Sequence, residues 1–387
     1  MSLRHVALGD VCAQDRTSVR PGQSDGLPYL GLECIEAGTG QFATGELSKT
    51  PEVPLANSFR FDDRHVLYGK LRPYLNKVAL PIAEGKCSTE IVPLLPSPQL
   101  DRRYLGYFLR SIRTVAQITE RSAGARMPRA DMDFVLSLLI PLPPVEEQRQ
   151  VVDLLTRAEG IVRLRREAQQ KAAELIPAIF VDMFGDPATN PQVWPRQPLS
   201  TVAEVISGVA KGRKLAPSVA VELPYMRVAN VKDGYLDLAE VKTIEIKRSE
   251  VEKLLIRPGD LLMTEGGDPD KLGRAALWAG EIEACVHQNH VFKVRSDRAR
   301  LSPAYLRTLA GSAYGKAYFL SVAKKTTGIA SINKTQLSAF PVPLPPLPLQ
   351  RAFERRVQSA ESILNQQAEA LNKATATFDA ILSQSIS

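Results

Sequence analysis

The sequence predicts an α+β chain: two globular domains, copies related by a pseudo-twofold axis, joined by two long antiparallel coiled-coil helices. Three observations carry this. The 387-residue chain repeats itself once, with an offset that drifts upward from 196 to 202 residues. Each copy closes on Pro-Leu-Pro-Pro, and each such string opens a long stretch of helical spacing. Within those stretches the apolar residues recur in a 4-3 pattern, the signature of a buried helix–helix seam.

The first domain is placed at 1–143. Its short apolar runs, LPYLGLECI and EIVPLLP, are bounded by Gly, Pro and Asp and read as strands, while DRRYLGYFLRSIRTVAQI (101–118) reads as a helix. The second domain, 187–342, repeats the plan with LPYMRVANV, HVFKV and the helix SPAYLRTLAGSAYGKAYFL (302–320). Pro28-Tyr29 falls on Pro224-Tyr225, Gly38 on Gly234, Tyr104-Leu105 on Tyr305-Leu306, Ser111 on Ser312, and PLPPVEEQR (141–149) on PLPPLPLQR (343–351). Repetition in constant order over nearly the whole length is a domain duplication.

The first spacer helix is expected over 144–186. Pro144 presets its first turn, Glu146 and Glu147 offset the helix dipole, and Gly185-Asp186-Pro187 stops it. Its seam is Val151, Leu155, Ala158 and Val162, then Ala172, Ile176 and Ile179. In between, at Arg165 and Gln169, the seam falters and Leu164 and Ala168 are expected to take up the apolar face. Pro177 should kink or split the helix near its end. The second spacer helix, 343–387, has the seam Phe353, Val357, Ala360, Leu364, Gln367, Leu371, Ala374, Phe378 and Ile381. About 38 helical residues span roughly 55 Å, so the pair is expected to act as a rod that sets a distance.

Composition narrows the function. Hydrophobic residues make up 44% and charged residues 24%, with no long apolar run and no apolar signal core near the start, so a soluble, cytoplasmic protein is expected. The four cysteines form no CxxC pair, which argues against a disulfide scaffold or a structural zinc site. The net charge is +7, and its excess is local. Residues 102–129 hold seven arginines against Glu120 alone, and 304–334 hold Arg307, Lys316, Lys324, Lys325 and Lys334 against no acid. Clustered cations at equivalent places in a repeat suit a phosphate backbone, because each neutralised phosphate releases counterions.

No motif for a reaction is found. The chain has no Walker A loop, no GxGxxG after a strand, no HExxH, no GxSxG and no target-base loop of the amino-methyltransferases. Cys285, His287 and His290 make the densest metal candidate, but strand alternation turns His290 away from the other two. The loop Glu265–Asp270 is acidic, yet its counterpart in the first copy carries no acid. No cofactor and no metal are expected.

The duplicated Pro-Leu-Pro-Pro helix start with Glu-Gln-Arg, the ending FVDMFGDPATNPQVWP (180–195) and LYGKLRPYLNKV (67–78) together resemble the specificity subunits of type I restriction–modification systems. The resemblance covers essentially the whole chain. It implies that the two domains are target-recognition domains, each reading half of a split double-stranded DNA sequence. It implies that the paired helices set their spacing and dock methyltransferase subunits, two in number, with restriction/translocase subunits joining the larger complex. Methyl donor, Mg²⁺ and ATP would then belong to those partners. The second copy departs from the pattern, since Pro348-Leu349 stand where Glu146-Glu147 stand.

The phosphate contacts expected in the first domain are Lys70, Arg72, Lys77, Arg121, Arg126 and Arg129. In the second they are Lys211, Arg213, Lys214, Lys324, Lys325 and Lys334, and Gly69, Gly124, Gly212 and Gly328 beside these cations would permit close approach of the backbone. Two alternatives stay open from the residues alone: a methyltransferase or nuclease fused to its own reader, and a coiled-coil adaptor whose domains bind protein.

Overall fold

The structure is a computed structural model that describes residues 4–20, 26–42, 57–124, 126–213, 215–268, 271–326 and 328–386. It divides into two compact units, Met1–Glu167 with Ala368–Ser387, and Ala168–Gln367. The division cuts both long helices, so each unit holds one globular body and the helical stretches packed on it.

In the first unit Cys12–Gln14, Ile91–Pro96, Val66–Gly69 and Val78–Ala79 form an antiparallel sheet in that order. In the second, Ala203–Ser207, Val291–Ser296, Leu261–Thr264 and Ala275–Leu277 take the same order. The strands Val66–Gly69 and Leu261–Thr264 are buried at every position, which is why they read as continuous apolar runs and not as alternating ones. Each unit also pairs two short strands in parallel: Tyr29 with Lys86 and Leu30 with Cys87, Tyr225 with Val286 and Met226 with His287. The repeat in sequence is thus a repeat in topology.

The helix expected over 101–118 is two helices, Arg102–Arg110 and Ile112–Glu120, and that over 302–320 is likewise Pro303–Gly311 and Ala313–Val322. Each break falls on the repeated serine. Ser111 and Ser312 are extended, and their hydroxyls accept the N–H of Thr114 and Gly315, both at 3.3 Å, capping the second helix. A capping serine leaves apolar periodicity unbroken, so spacing alone does not show it.

The spacer helix runs Val145–Ala173 and Leu175–Phe184, divided at Glu174. Pro177 has no N–H to offer the Ala173 carbonyl and its ring crowds that carbonyl, which accounts for the break. Gly185, at φ +75°, ends the helix and donates its N–H to Val181. Leu164 corrects the expected seam: it is 59% exposed, because two residues beyond Val162 is a turn of about 200°, onto the opposite face. Ala168 and Gln169 are half-buried in its place. The last helix, Leu347–Ile386, is continuous.

Of the seam residues, Leu155, Val162, Phe353 and Val357 are buried, while Val151, Ile176, Leu364, Leu371 and Phe378 are half-buried. In the first unit Val152 and Leu155 share a core with Phe378, Leu382, Ile386 and with Tyr104 and Phe108 of the helix Arg102–Arg110. In the second, Ile176, Phe180 and Phe184 share one with Phe353, Val357 and Tyr305. Each unit therefore packs the start of one helix on the end of the other. Phe180, Phe184, Tyr305 and Phe353 meet with ring centroids 4.9–5.5 Å apart in tilted, stacked and edge-on pairs, each worth roughly 0.5–1.5 kcal/mol beyond burial.

The two bodies are fixed to their helices by one device used twice. Gln148, fully buried, accepts the Asp101 N–H at 2.8 Å and donates to the carbonyls of Gln99 and Pro143 at 2.9 and 2.8 Å. Gln350, equally buried, accepts the Ser302 N–H at 2.9 Å and donates to Arg300 and Pro345 at 3.1 and 2.8 Å. One amide satisfies three backbone groups from the preceding loop, the start of the helix Arg102–Arg110 or Pro303–Gly311, and its own helix start. Farther along, Arg110 pairs with Glu159, and Arg307 with Glu361 at 2.6 Å, bridging the same two elements.

Truncating Gln148 to alanine strands three backbone groups and is expected to destabilise the chain by about 2–4 kcal/mol in urea unfolding. Arg149→Ala, which removes only an exposed contact to Glu146, should cost under about 0.5 kcal/mol. Equal effects of the two substitutions would contradict the clamp.

Candidate nucleic-acid interface

In each unit three separate segments converge through matching backbone hydrogen bonds. In the first, the Lys70 N–H donates to Glu90 at 2.9 Å and the Ala130 N–H to Lys70 at 2.8 Å. In the second, the Glu265 N–H donates to His290 at 3.0 Å and the Ile332 N–H to Glu265 at 2.9 Å. Arg129 bridges to Leu71 and exchanges hydrogen bonds with Ala123; Ser331 does the same with Gly266 and Lys324. The loops turn through Gly124 and Gly328, at φ +107° and +80°, backbone that residues with a Cβ rarely adopt.

This node gathers many of the expected cations. In the first unit it carries Lys70, half-buried, with Arg72, Arg126 and Arg129 exposed. Arg72 sits at φ +53°, an uncommon conformation for a non-glycine residue, and its N–H bonds the Pro128 carbonyl at 2.7 Å. In the second unit the node carries Lys324 and Lys325, both exposed. Val209 bridges to Gln288, and the Asn289 N–H donates to Val209 at 2.8 Å, which brings the segment of exposed Lys211 beside the node. Lys211 lies over the Tyr225 ring at 5.9 Å. Lys334, exposed, begins the short helix Lys334–Ser338 that follows Ile332.

Other cations are turned to internal partners. The Lys77 ammonium donates to the Leu32 carbonyl at 2.7 Å, which ties a loop down. Arg213 forms a two-armed pair with Glu250 at 2.8 and 3.1 Å, and Arg129 grips Glu90 at 3.0–3.2 Å. Arg121 lies over the Phe134 ring at 5.5 Å with its surface exposed. Lys214 lies outside the described residues.

Sequence reasoning missed the anionic and neutral side of the node. Glu90 and Glu265 stand beside the cations, and His290 Nδ1 bonds Glu265 at 2.7 Å. Nearby in sequence, His287 is buried, with Nδ1 bonded to the Val291 carbonyl at 2.7 Å and Nε2 without a partner among the described residues. Burial pushes the His287 imidazole down to about 4. The buried thiols of Cys12, Cys87 and Cys285 are pushed up to about 12 by burial and are inert at neutral pH. Among the described residues no group of three His, Cys, Asp or Glu is placed to hold a metal, and no helix is long and apolar enough to cross a membrane.

Residues 39–174 match the family model described as the type I restriction modification DNA specificity domain. The chain is 22% identical over 387 aligned residues to the EcoKI specificity subunit of Escherichia coli K12, covering 94% of this chain and 82% of that one. These matches make the chain similar to the specificity subunits of type I restriction–modification systems. The putative MjaX specificity subunit of Methanocaldococcus jannaschii is 27% identical over 188 residues, 48% of this chain and 44% of the relative. Among solved structures, a chain from a study of complex assembly and conformational transition in a type I R-M system superposes with a TM-score of 0.62 at 21% identity, covering 100% of this chain and 98% of that one. The S subunit from M. genitalium gives 0.54 at 12% identity, covering 100% and 97%. Both structural likenesses concern the fold.

The buried His287 sets an acid sensitivity. With the folded value near 4 and the unfolded value near 6.5, the unfolded chain binds a proton through this window that the folded chain refuses. The neutral ring's contribution, present above about pH 6.5, is lost as pH falls toward 4, amounting to about 3 kcal/mol. His287→Gln should show a shallower fall in stability between pH 6.5 and 4 by urea unfolding. A fall as steep as in the unaltered chain would assign the acid sensitivity to other groups.

Proposed function

We propose that this specificity subunit reads a bipartite double-stranded DNA target, one half through each node, and has no chemistry of its own. The observation that carries the reading is the duplicated node: identical backbone hydrogen bonds in the two units, each displaying exposed cations on a rigid, glycine-turned loop. Phosphate contacts by Arg72, Arg126, Lys324 and Lys325 would fix register, and side chains between them would read base edges. We place the chain in the cytoplasm, where its DNA is.

The methyltransferase and restriction/translocase subunits would supply the methyl donor, Mg²⁺ and ATP. The spacer helix offers them a surface. Leu154, Ile161 and Leu164 are 50%, 53% and 59% exposed although the same helix buries Leu155 and Val162. Successive apolar residues on the outer face of a helix suit a partner helix.

Two experiments test this reading. Replacing Arg72 and Arg126 together by Gln, or Lys324 and Lys325 together by Gln, should flatten the dependence of log affinity on log salt by about 2 in each case. An unchanged slope in both would move the interface elsewhere. Leu154→Glu with Ile161→Glu should abolish co-purification with the methyltransferase subunit while leaving the unfolding transition and DNA affinity in place. Retained co-purification would place docking on another surface.

A further inference from the structure

At the same node of each unit, a carboxylate grips an exposed side chain from another segment. In the first unit Glu90 receives the Nε–H and Nη2–H edge of Arg129: Nε lies 3.2 and 3.0 Å from the two carboxylate oxygens, and Nη2 lies 3.0 Å from one. In the second, Glu265 holds His290 through Nδ1 at 2.7 Å, and the ring is 55% exposed with Asn289 Nδ2 3.4 Å from Nε2. The backbone bonds put Lys70 at the place of Glu265 and Glu90 at the place of His290, so the two carboxylates stand on different segments of the node. The side chains at these positions differ while the backbone bonds stay the same, as expected of a place where two domains read different sequences.

The geometry of Arg129 is specific. A guanidinium has two edges that offer parallel N–H pairs, and Glu90 occupies the one formed by Nε and Nη2. The end-on pair, Nη1–H with the second Nη2–H, is directed away from Glu90, and the Arg129 side chain is 47% exposed. Its backbone is held on both sides, by the Ala123 exchange at 2.9 and 3.1 Å and the bridge to Leu71. Arg72 and Arg126 flank it on the same loops. A charge half-neutralised by a carboxylate is poorly suited to phosphate, where net positive charge releases counterions. A fixed pair of parallel donors suits guanine, whose O6 and N7 present two acceptors in the major groove.

We propose that Arg129 is a base-reading residue that recognises a guanine in the half-sequence read by the first unit, with Glu90 as its positioning residue. This rests on the DNA-reading function proposed above and differs from the phosphate role the sequence assigned to Arg129.

The test selects bound duplexes from a random double-stranded library with the full chain, comparing the unaltered protein with Arg129→Lys and Glu90→Gln. Lysine keeps the charge and loses the fork. With Arg129→Lys one guanine position should lose preference over the other bases by about 5- to 150-fold. The remaining positions and the salt slope should stay unchanged. Glu90→Gln should weaken preference at that same position. Selection that yields a defined sequence identical for Arg129→Lys and the unaltered protein overturns the assignment and leaves the DNA-reading function standing. Selection that yields no defined sequence with the unaltered protein overturns that function, and this assignment with it.

Discussion

The hydrogen-bond clamp of one buried glutamine on three backbone groups is the constraint on which each unit depends. Gln148 and Gln350, both fully buried, each join the first turn of a long helix to the loop and start of the helix Arg102–Arg110 or Pro303–Gly311. With that joint fixed, the helix Arg102–Arg110 or Pro303–Gly311 can lie against both its sheet and the spacer helices, and Tyr104 and Tyr305 take their places in the cores. The ion pairs Arg110–Glu159 and Arg307–Glu361 add a second point of attachment on the same helices. A body fastened at two points does not pivot about either one.

The clamp also explains a departure within the repeat. The second copy replaces two glutamates of the first helix turn by Pro348 and Leu349, removing charges that favour a helix start. The helix nonetheless begins at Leu347, because the glutamine two residues beyond the proline keeps its three bonds and Phe353 and Val357 bury the next turns. Tertiary contacts here outweigh the helix dipole.

Much of this was legible in the sequence. The duplication, the two spacer helices, the split near Pro177 and the Gly185 stop follow from repeat offsets and from the backbone chemistry of proline and glycine. The serine breaks at Ser111 and Ser312 were not legible, since a cap changes backbone direction and leaves apolar spacing intact. Leu164 misled because an apolar residue near a faltering seam looks like its continuation, while the helical angle places it outside. At the node, sequence could list cations but not which of them meet carboxylates: Glu90 is 39 positions from Arg129, and Glu265 is 25 from His290. The equal persistence of Gln148 and Gln350 amid altered neighbours was the available clue to the clamp.

The central claim is that two equivalent nodes read two half-sequences independently, with the backbone framework held constant and the side chains varied. The most direct measurement is the map of modified bases in a host that carries the chain with the methyltransferase subunit proposed as its partner, repeated after residues 1–143 are exchanged for those of one of the specificity subunits it resembles. The account predicts two short defined sequences separated by unspecified bases, of which the exchange alters one and leaves the other intact. A single uninterrupted target, or a change in both halves, would contradict it.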